Sequence, residues 1–312
     1  MGPGHSCRQP EARLNTNMIN LLDIRYVRLG TRDIGQTDRF AREILGLEKV
    51  RQEAGASYFR SDSRDHTLVY FEGDPSDHSV GFELRTADEL ERAAAELSNR
   101  GVHVRAGTPD ECEQRHVKAF VHFKDPTGNK IELVVNPHHS GRRYFPSRDA
   151  GITGFSHVGL CTTDAARDER FWTQVLGARV SDWIGDAPLL RIDDVHHKVA
   201  LFPTTRSGVQ HINHQVEGID DIMRAWYMLK KLDVPIAFGP GRHPTSGAMF
   251  LYFRGPDGMI FEYSSGVRLI RPDEEDSYRP RQFPRTSESF CMWGATPDIA
   301  EFRSTAPAEA GQ

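Results

Sequence analysis

The chain has 312 residues, of which 38% are hydrophobic and 27% charged, and its formal net charge is −5. This composition is typical of a globular protein with room for two hydrophobic cores, and the acidic balance without a run of Lys or Arg excludes a polyanion-binding surface and predicts no nucleic-acid partner. No stretch approaches about 18 consecutive apolar residues and the first residues lack the apolar region of a signal peptide, so we expect a cytoplasmic protein with no membrane partner.

An internal repeat organises the chain. Residues 26–47 (YVRLGTRDIGQTDRFAREILGL) match residues 157–178 (HVGLCTTDAARDERFWTQVLGA) at a constant offset of 131 residues. Each copy predicts a short strand, an Asp that caps a helix, an amphipathic helix and a Gly at the helix end. Further on, residues 125–134 (DPTGNKIELV) match residues 255–264 (GPDGMIFEYS). The two halves are therefore predicted to be homologous domains.

Each half divides again into two modules. Residues 82–104 and 214–236 are predicted to be second strand-then-helix units, and each leads into a hairpin. The chain is then an α+β protein of four βαβββ modules, two in each domain. The predicted boundaries are an N-terminal arm (1–20), a first domain (21–138), a Pro- and Gly-containing linker (139–152), a second domain (153–268) and a charged, Pro-rich C-terminal tail or lid (269–312).

Two imidazoles and a carboxylate distinguish the second half from the first. His157 lies on its first predicted strand, His211 at the start of the strand that opens its second module, and Glu262 on its last strand. The corresponding positions of the first half hold Tyr26, Ser79 and Glu132. Two His and one carboxylate on one face of a metal, with open positions remaining, suit a non-haem Fe(II) oxygenase, and Mn(II) also fits.

Strand geometry limits which side chains share a face. His211 and His214 are three residues apart, so they are predicted to point to opposite faces of their strand. Only one of them can enter the candidate metal site. Their spacing does not determine which one, but the repeat favours His211. A turn at Pro256-Asp257-Gly258, with Gly in the left-handed position, would set Tyr252 directly opposite Glu262 across a hairpin.

With these motifs the chain resembles the two-domain type I extradiol ring-cleaving dioxygenases of the vicinal oxygen chelate superfamily, over about residues 20–268. The resemblance is carried by FSHVGL, HHKVAL, QHINHQVEGIDD, GPGRHP and LYFRGPDGMIFEYSSG. It implies two tandem domains, each a pair of βαβββ modules that form a partly closed barrel, with the metal in the second domain. The residues that it assigns are the metal ligands His157, His211 and Glu262 and the catalytic residues His197, His243 and Tyr252.

The resemblance also implies a reaction. A substituted catechol binds Fe(II), or Mn(II), through both oxygens, and both atoms of O2 enter the ring-opened product. His197 would accept a catechol proton and later return one, a task that suits an imidazole because its ordinary pKa is near 6.5. His243 and Tyr252 would hydrogen-bond the substrate. Relatives are commonly oligomers, so a homo-oligomer is expected.

The substrate is less sharply predicted than the reaction. The residues predicted to border the pocket are Trp183, Leu189, Phe250 and those after Leu269, and such walls suit a catechol with an alkyl or aryl substituent. Arg or Lys near the C-terminal tail could instead hold a carboxylate.

Two other functions fit the same fold, because fold does not determine function. A non-redox metalloenzyme, such as a glyoxalase-like isomerase, usually gathers four ligands from both halves of a paired domain, whereas all candidates here lie in one half. A metal-free binding protein of the drug-sequestering kind would not be expected to keep two His and a Glu in register.

Several candidate residues also have a purely structural interpretation. His66 occupies the position of the first half that matches His197, so a structural role common to both halves is the alternative for His197. His196 and His214 are interpreted as neighbours or packing residues. Glu132 has the ligand position without the imidazoles and is interpreted as a structural relic.

Overall fold

The computed structural model describes residues 19–53 and 55–303. Their strands form one sheet of eight strands and one of nine, one sheet in each half of the chain. The predicted α+β class with tandem βαβββ modules is confirmed, and each sheet is an open series of strands with two edges. Most of the predicted N-terminal arm (1–20) lies outside the described residues. The domain boundaries and the homo-oligomeric state stay predictions.

The first half has two modules that meet at its central strands. Its strands are β1 (Asp23–Thr31), β2 (Glu48–Glu53), β3 (Ala56–Arg60), β4 (Leu68–Glu72), β5 (His78–Leu84), β6 (Arg105–Ala106), β7 (Val117–Lys124) and β8 (Lys130–Pro137). Its helices are α1 (Ile34–Arg39), which continues as a π-helical turn (Phe40–Ile44), α2 (Ala87–Asn99) and α3 (Pro109–Arg115). The sheet order is β2-β3-β4-β1-β5-β8-β7-β6, so β1 and β5 join the two modules.

The second half repeats this arrangement and adds a strand from the C-terminal tail. Its strands are β9 (Ile152–Thr162), β10 (Arg179–Ile184), β11 (Ala187–Arg191), β12 (Val199–Pro203), β13 (Val209–Val216), β14 (Ile236–Arg242), β15 (Met249–Arg254), β16 (Ile260–Ser265) and β17 (Arg281–Phe283). Its helices are α4 (Ala165–Gln174), α5 (Ile219–Lys231) and α6 (Ser287–Phe290). The order is β14-β15-β16-β13-β9-β12-β11-β10-β17, which makes β16, β13 and β9 neighbours.

The first helix of each half begins where the repeat predicts. The Asp33 carboxylate accepts a hydrogen bond from the Gln36 amide at 2.8 Å, and the Asp164 carboxylate accepts one from the Arg167 amide at 3.0 Å. These caps satisfy amides that have no partner within the helix. None of the helices in the described part of the chain is long and apolar enough to cross a membrane.

The two halves share one hydrophobic core because each covers part of the other's sheet. The Phe40 ring, directly after α1, packs 5.3 Å from the Phe261 ring on β16. The Trp172 ring on α4 packs 5.5 Å from the Phe82 ring on β5, and Trp172 is fully buried. The first helix of either half therefore packs on strands of the other half's second module.

The described part of the C-terminal tail is folded against the second half. Its strand β17 pairs with β10 at the sheet edge. Phe290 and Phe302 are buried in an apolar cluster that also contains Tyr252. The tail therefore packs beside the strand pair that carries the candidate site, and its predicted role as a lid stays a prediction.

Candidate metal centre

Three adjacent strands bring together the imidazoles and the carboxylate of the second half. The Nε2 atom of His157 on β9 lies 3.1 Å from Nε2 of His211 on β13 and 3.1 Å from Oε2 of Glu262 on β16. Nε2 of His211 lies 3.5 Å from the same Oε2 atom. All three side chains are buried, and their ligand atoms lie within 4.8 Å of one another.

The geometry and protonation of this cluster fit a divalent metal. Two ligands at right angles on a metal, with bonds of about 2.1 Å, lie about 3 Å apart. Oε2 of Glu262 is buried and has no well-formed hydrogen bond among the described residues. Burial raises the pKa of Glu262, but the imidazoles outweigh burial and hold it well below its ordinary value, whereas burial lowers the pKa of His211 to about 3. A carboxylate anion beside a neutral imidazole is what a metal requires.

The His211 ring is oriented by the residue before it and by a glycine on the neighbouring strand. Its Nδ1 atom is hydrogen-bonded to Oε1 of Gln210, which can only accept. Nδ1 therefore carries the proton and Nε2 presents its lone pair to the cluster. A Cβ atom at Gly159 would lie 2.4 Å from His211 Nδ1, so the ring needs a glycine at that position.

Gly159→Ala is expected to weaken metal binding about 10- to 100-fold without unfolding the protein, because the added methyl group displaces the His211 ring. Titration of the metal-free protein with Fe(II) or Mn(II) measures the affinity. Gly141→Ala is the control, since a Cβ there meets nothing within 4 Å. Wild-type affinity in Gly159→Ala would contradict this account of the ring's position.

His243 and Tyr252 lie beside the carboxylate of the cluster. Tyr252 pairs with Glu262 across the β15–β16 hairpin, as the turn predicts. The Tyr252 hydroxyl lies 3.2 Å from Nε2 of His243, and that Nε2 lies 3.6 Å from Oε1 of Glu262. Nδ1 of His243 donates to the Phe290 carbonyl at 2.7 Å, so the C-terminal tail fixes the ring. Burial raises the pKa of Tyr252 well above its ordinary value, so its hydroxyl keeps its proton and donates a hydrogen bond to Nε2 of His243.

His197 lies over His157 and ends a chain of three hydrogen-bonded groups. The His197 and His157 ring centroids are 4.3 Å apart. Nδ1 of His197 lies 3.1 Å from Nδ1 of His196, and Nε2 of His196 lies 2.9 Å from Oδ2 of Asp182. Burial raises the pKa of Asp182, but hydrogen bonds from His196 and Arg281 bring it below its ordinary value, so the group is an anion.

This chain determines which nitrogen of His197 carries the proton. Burial lowers the pKa values of His196 and His197 below the ordinary histidine value, so both rings are neutral at pH 7. The Asp182 carboxylate only accepts, which places the His196 proton on Nε2 and leaves its Nδ1 as an acceptor. His197 must then donate from Nδ1, and its Nε2 is an unprotonated base. The sequence-based interpretation of His196 as a neighbour or packing residue missed this contact and Asp182.

Comparison with known proteins defines the family. The model of the Glyoxalase/Bleomycin resistance protein/Dioxygenase superfamily matches residues 23–133 and 154–263. The chain belongs to this superfamily. Similar curated members include an iron-dependent extradiol dioxygenase of Rhodococcus jostii (strain RHA1), 28% identical over 304 residues that cover 88% of this chain and 97% of the relative. Biphenyl-2,3-diol 1,2-dioxygenase of Pseudomonas sp. (strain KKS102) is 28% identical over 290 residues, which cover 86% and 95% of the two chains.

Several solved structures have the same fold as this chain. Homoprotocatechuate 2,3-dioxygenase from Arthrobacter globiformis matches with a TM-score of 0.81 and 21% identity, covering 93% of this chain and 92% of the other. A Mn(II)-bound glyoxalase from Novosphingobium aromaticivorans matches with a TM-score of 0.80 and 24% identity, covering 94% and 97%. At these identities the likeness shows the superfamily fold and not the reaction.

The first half has the superfamily fold with a different set of side chains at the equivalent positions. Glu132 accepts the Tyr26 hydroxyl at 2.7 Å and binds Arg115 through both carboxylate oxygens, each at 2.7 Å. His66 stacks on Tyr26 at 5.1 Å between ring centroids and bonds Asp65 through Nδ1. Glu132 is thus held by a structural ion pair, which agrees with its interpretation as a relic. Arg115, its partner, was not anticipated from the sequence.

Three of the remaining sequence candidates lie outside the cluster of ligand atoms. The His214 ring packs beside Phe155, with 6.0 Å between centroids. Trp183 donates from Nε1 to Glu169 on α4 at 2.8 Å. Leu189, predicted as a pocket wall, is buried in the apolar cluster that contains Tyr252. The fourth, Phe250, stacks on the His243 ring at 3.9 Å between centroids and so adjoins the site.

Proposed function

We propose that this protein cleaves the ring of a substituted catechol beside its diol and inserts both atoms of O2, at a metal held by His157, His211 and Glu262. The observation that carries the proposal is the buried cluster of two Nε2 atoms and Oε2, separated by 3.1 to 3.5 Å. The comparisons support it because two relatives matched over nearly their full length are named an iron-dependent extradiol dioxygenase and a biphenyl-2,3-diol 1,2-dioxygenase. Two His and one carboxylate leave open positions for two substrates.

Fe(II) is the metal that we assign, and Mn(II) is the alternative. One relative is named an iron-dependent extradiol dioxygenase. Another, from Geobacillus genomosp. 3, is named a manganese-dependent 2,3-dihydroxybiphenyl 1,2-dioxygenase. When bound, such a metal lowers the pKa of the catechol hydroxyls and holds the diol next to O2.

The side chains around the metal ligands divide the proton chemistry between them. His197, with Nε2 unprotonated, takes a proton from one catechol hydroxyl and returns it when the ring opens. Tyr252, protonated because it is buried, turns its hydrogen bond from His243 to a substrate oxygen on the Glu262 side when the substrate binds. His243 positions that hydroxyl through the contact at 3.2 Å. The buried surroundings exclude water, which strengthens each of these interactions.

The substrate that we propose is a catechol with an apolar substituent. Rings of Phe202 and Phe302 lie 5.8 and 6.3 Å from the His211 ring, and the adjoining cluster around Tyr252 is apolar. Arg281, a tail cation that could have held a substrate carboxylate, is bound to the Asp182 carboxylate at 2.6 Å. Names of relatives include biphenyl-2,3-diol, 1,2-dihydroxynaphthalene and 3-methylcatechol as substrates of those proteins. Such hydrocarbon-substituted diols match these walls.

Anaerobic reconstitution with Fe(II), followed by oxygen uptake and visible absorbance with these diols, tests the proposal. We expect one O2 consumed per catechol and a yellow ring-opened product. The same measurement with protocatechuate, which carries a carboxylate, is expected to give a much lower kcat/KM. One bound metal per chain without oxygen uptake would contradict ring cleavage and favour a glyoxalase-like isomerase.

A further inference from the structure

A large cavity lined mainly by the first half, with Phe171 and Val175 of the second half in its wall, lies where the metal centre would be in the first half. Its volume is about 1070 Å³, and its lining includes Arg28 on β1, Ser79 on β5 and Glu132 on β8. The strand registers equate these positions with those of the second half, because Arg28 pairs with Ser79 as Gly159 pairs with His211. The first half has therefore kept the concave face of its sheet while losing the imidazoles.

Arg28 is a buried cation of this cavity that has no hydrogen bond and no ion pair with any described residue. Arg28 stands at the position of Gly159, where a Cβ would meet the His211 ring, so an arginine fits there only because Ser79 replaces that ring. Arg28 is only 7% exposed, its Nη1 atom is buried without a hydrogen-bond partner, and no ion pair between described residues includes it. Nε2 of His122, which lines the same cavity, is also buried and unpartnered within the described part of the chain. An unpaired buried guanidinium is unfavourable unless an anion binds it.

Glu132 attracts Arg28 across the cavity, but Arg115 already holds that carboxylate, so the cavity wall does not fully neutralise Arg28. Each acidic residue of the lining is already held by a cation of the same lining. These pairs are Asp77 with Lys130 at 2.6 Å, Glu111 with Arg105 at 2.6 Å, and Glu132 with Arg115 at 2.7 Å. Arg28 and Lys124 remain outside the ion pairs of the described residues, so the cavity has a positive potential in a chain of net charge −5.

Part of the lining is aromatic and aliphatic. Phe71, Phe123, Phe171 and Val102 contribute to the wall, and the Phe71 ring centroid lies 5.6 Å from the Arg28 guanidinium carbon. We propose that this cavity binds a small carboxylate carried on an aromatic or conjugated hydrocarbon, with the carboxylate on Arg28 and the hydrocarbon against Phe71 and Phe123. Arginine suits a carboxylate because its planar fork donates two parallel hydrogen bonds. The inference does not rest on the proposed ring cleavage.

Calorimetric titration of the metal-free full chain with benzoate tests the proposal. We expect saturable binding of one benzoate per chain and a benzoate-dependent rise in Tm. Arg28→Gln should weaken binding at least tenfold, because the amide has neither the charge nor the fork. Arg100→Gln is the matched control, since Arg100 lines the cavity but is paired with Glu96, and its affinity should stay within twofold of wild type.

Two further readouts separate a ligand site from a structural arginine. Without benzoate, Arg28→Gln should have an unchanged or higher Tm, because it removes an unpaired buried charge. If that variant does not fold, Val102→Trp, which fills the cavity from a loop, should abolish benzoate binding instead. Glu262→Gln should retain it, because the metal centre is not involved.

Four outcomes would overturn the assignment. They are no saturable binding at millimolar benzoate, full binding in Arg28→Gln, loss of binding in Glu262→Gln, and equal affinity for inorganic phosphate and benzoate. The last would indicate a site for a bare anion, in which the aromatic wall plays no part.

Discussion

Replacing Glu262 by Gln should abolish metal retention and oxygen uptake, whereas the same change at Glu132 should leave both in place. The substitution at Glu262 would present a neutral amide to a cluster that has no other anion among the described residues. At Glu132 the carboxylate instead neutralises Arg115 and accepts the Tyr26 hydroxyl. Metal content by atomic absorption and oxygen uptake after anaerobic loading measure both effects.

Both substitutions should also lower the stability of the metal-free protein. Glu132→Gln leaves the mostly buried Arg115 guanidinium without a counter-charge, which is expected to lower the free energy of unfolding by about 3 kcal/mol. Glu262→Gln should also destabilise the metal-free protein, because the imidazoles that hold the pKa of Glu262 well below its ordinary value stabilise its ionised form in the folded state. His157→Ala is expected to lose metal like Glu262→Gln. A Glu262→Gln protein that retains metal and activity would show that the metal site lies elsewhere.

His197→Asn should keep one metal per chain and lower kcat by about 10²- to 10⁴-fold, the usual contribution of a general acid–base group. Asparagine can still donate a hydrogen bond to His196, but it has no basic nitrogen to take a catechol proton. Stopped-flow absorbance with a saturating catechol measures kcat, and metal analysis of the same sample checks loading.

The first half provides a matched control for this residue. His66→Asn changes the equivalent position, where the ring bonds Asp65 and stacks on Tyr26. Its turnover should equal that of the wild type once the protein is loaded with metal. Equal turnover in both variants would assign His197 a structural role like that of His66.

The internal repeat allowed the metal-ligand candidates to be predicted from the sequence. Comparing the halves isolates His157 and His211, because the first half holds Tyr26 and Ser79 there, and the structure brings the two imidazoles together with Glu262. The Tyr252 pairing with Glu262 followed from turn geometry, and Gly258 has the left-handed backbone predicted for it, with φ of +78°. Periodicity and turn chemistry act over a few residues, so they predict such local relations well.

Contacts between distant strands could not be predicted in this way. Asp182 meets His196 across the β10–β12 region and Arg115 meets Glu132 from a short helix, and neither pair has a spacing that identifies it. The need for Gly159 depends on how closely β9 approaches the His211 ring, which is a property of the register between two strands. Tertiary packing determines the two contacts and the need for Gly159. The alternation of side chains along a strand carries no information about which strands pack together.

The packing of each half's first helix on the other half has a consequence for how such a chain can evolve. Without the first half, the Phe261 ring on a metal-bearing strand would lose its cover from Phe40, and Tyr263 would lose the backbone carbonyl of Leu45 that accepts its hydroxyl at 2.8 Å. A protein built from two such copies can therefore lose the metal ligands of one half, but deletion of that half would expose the core of the other. The halves are free to diverge in chemistry, while the surfaces between them can change only together.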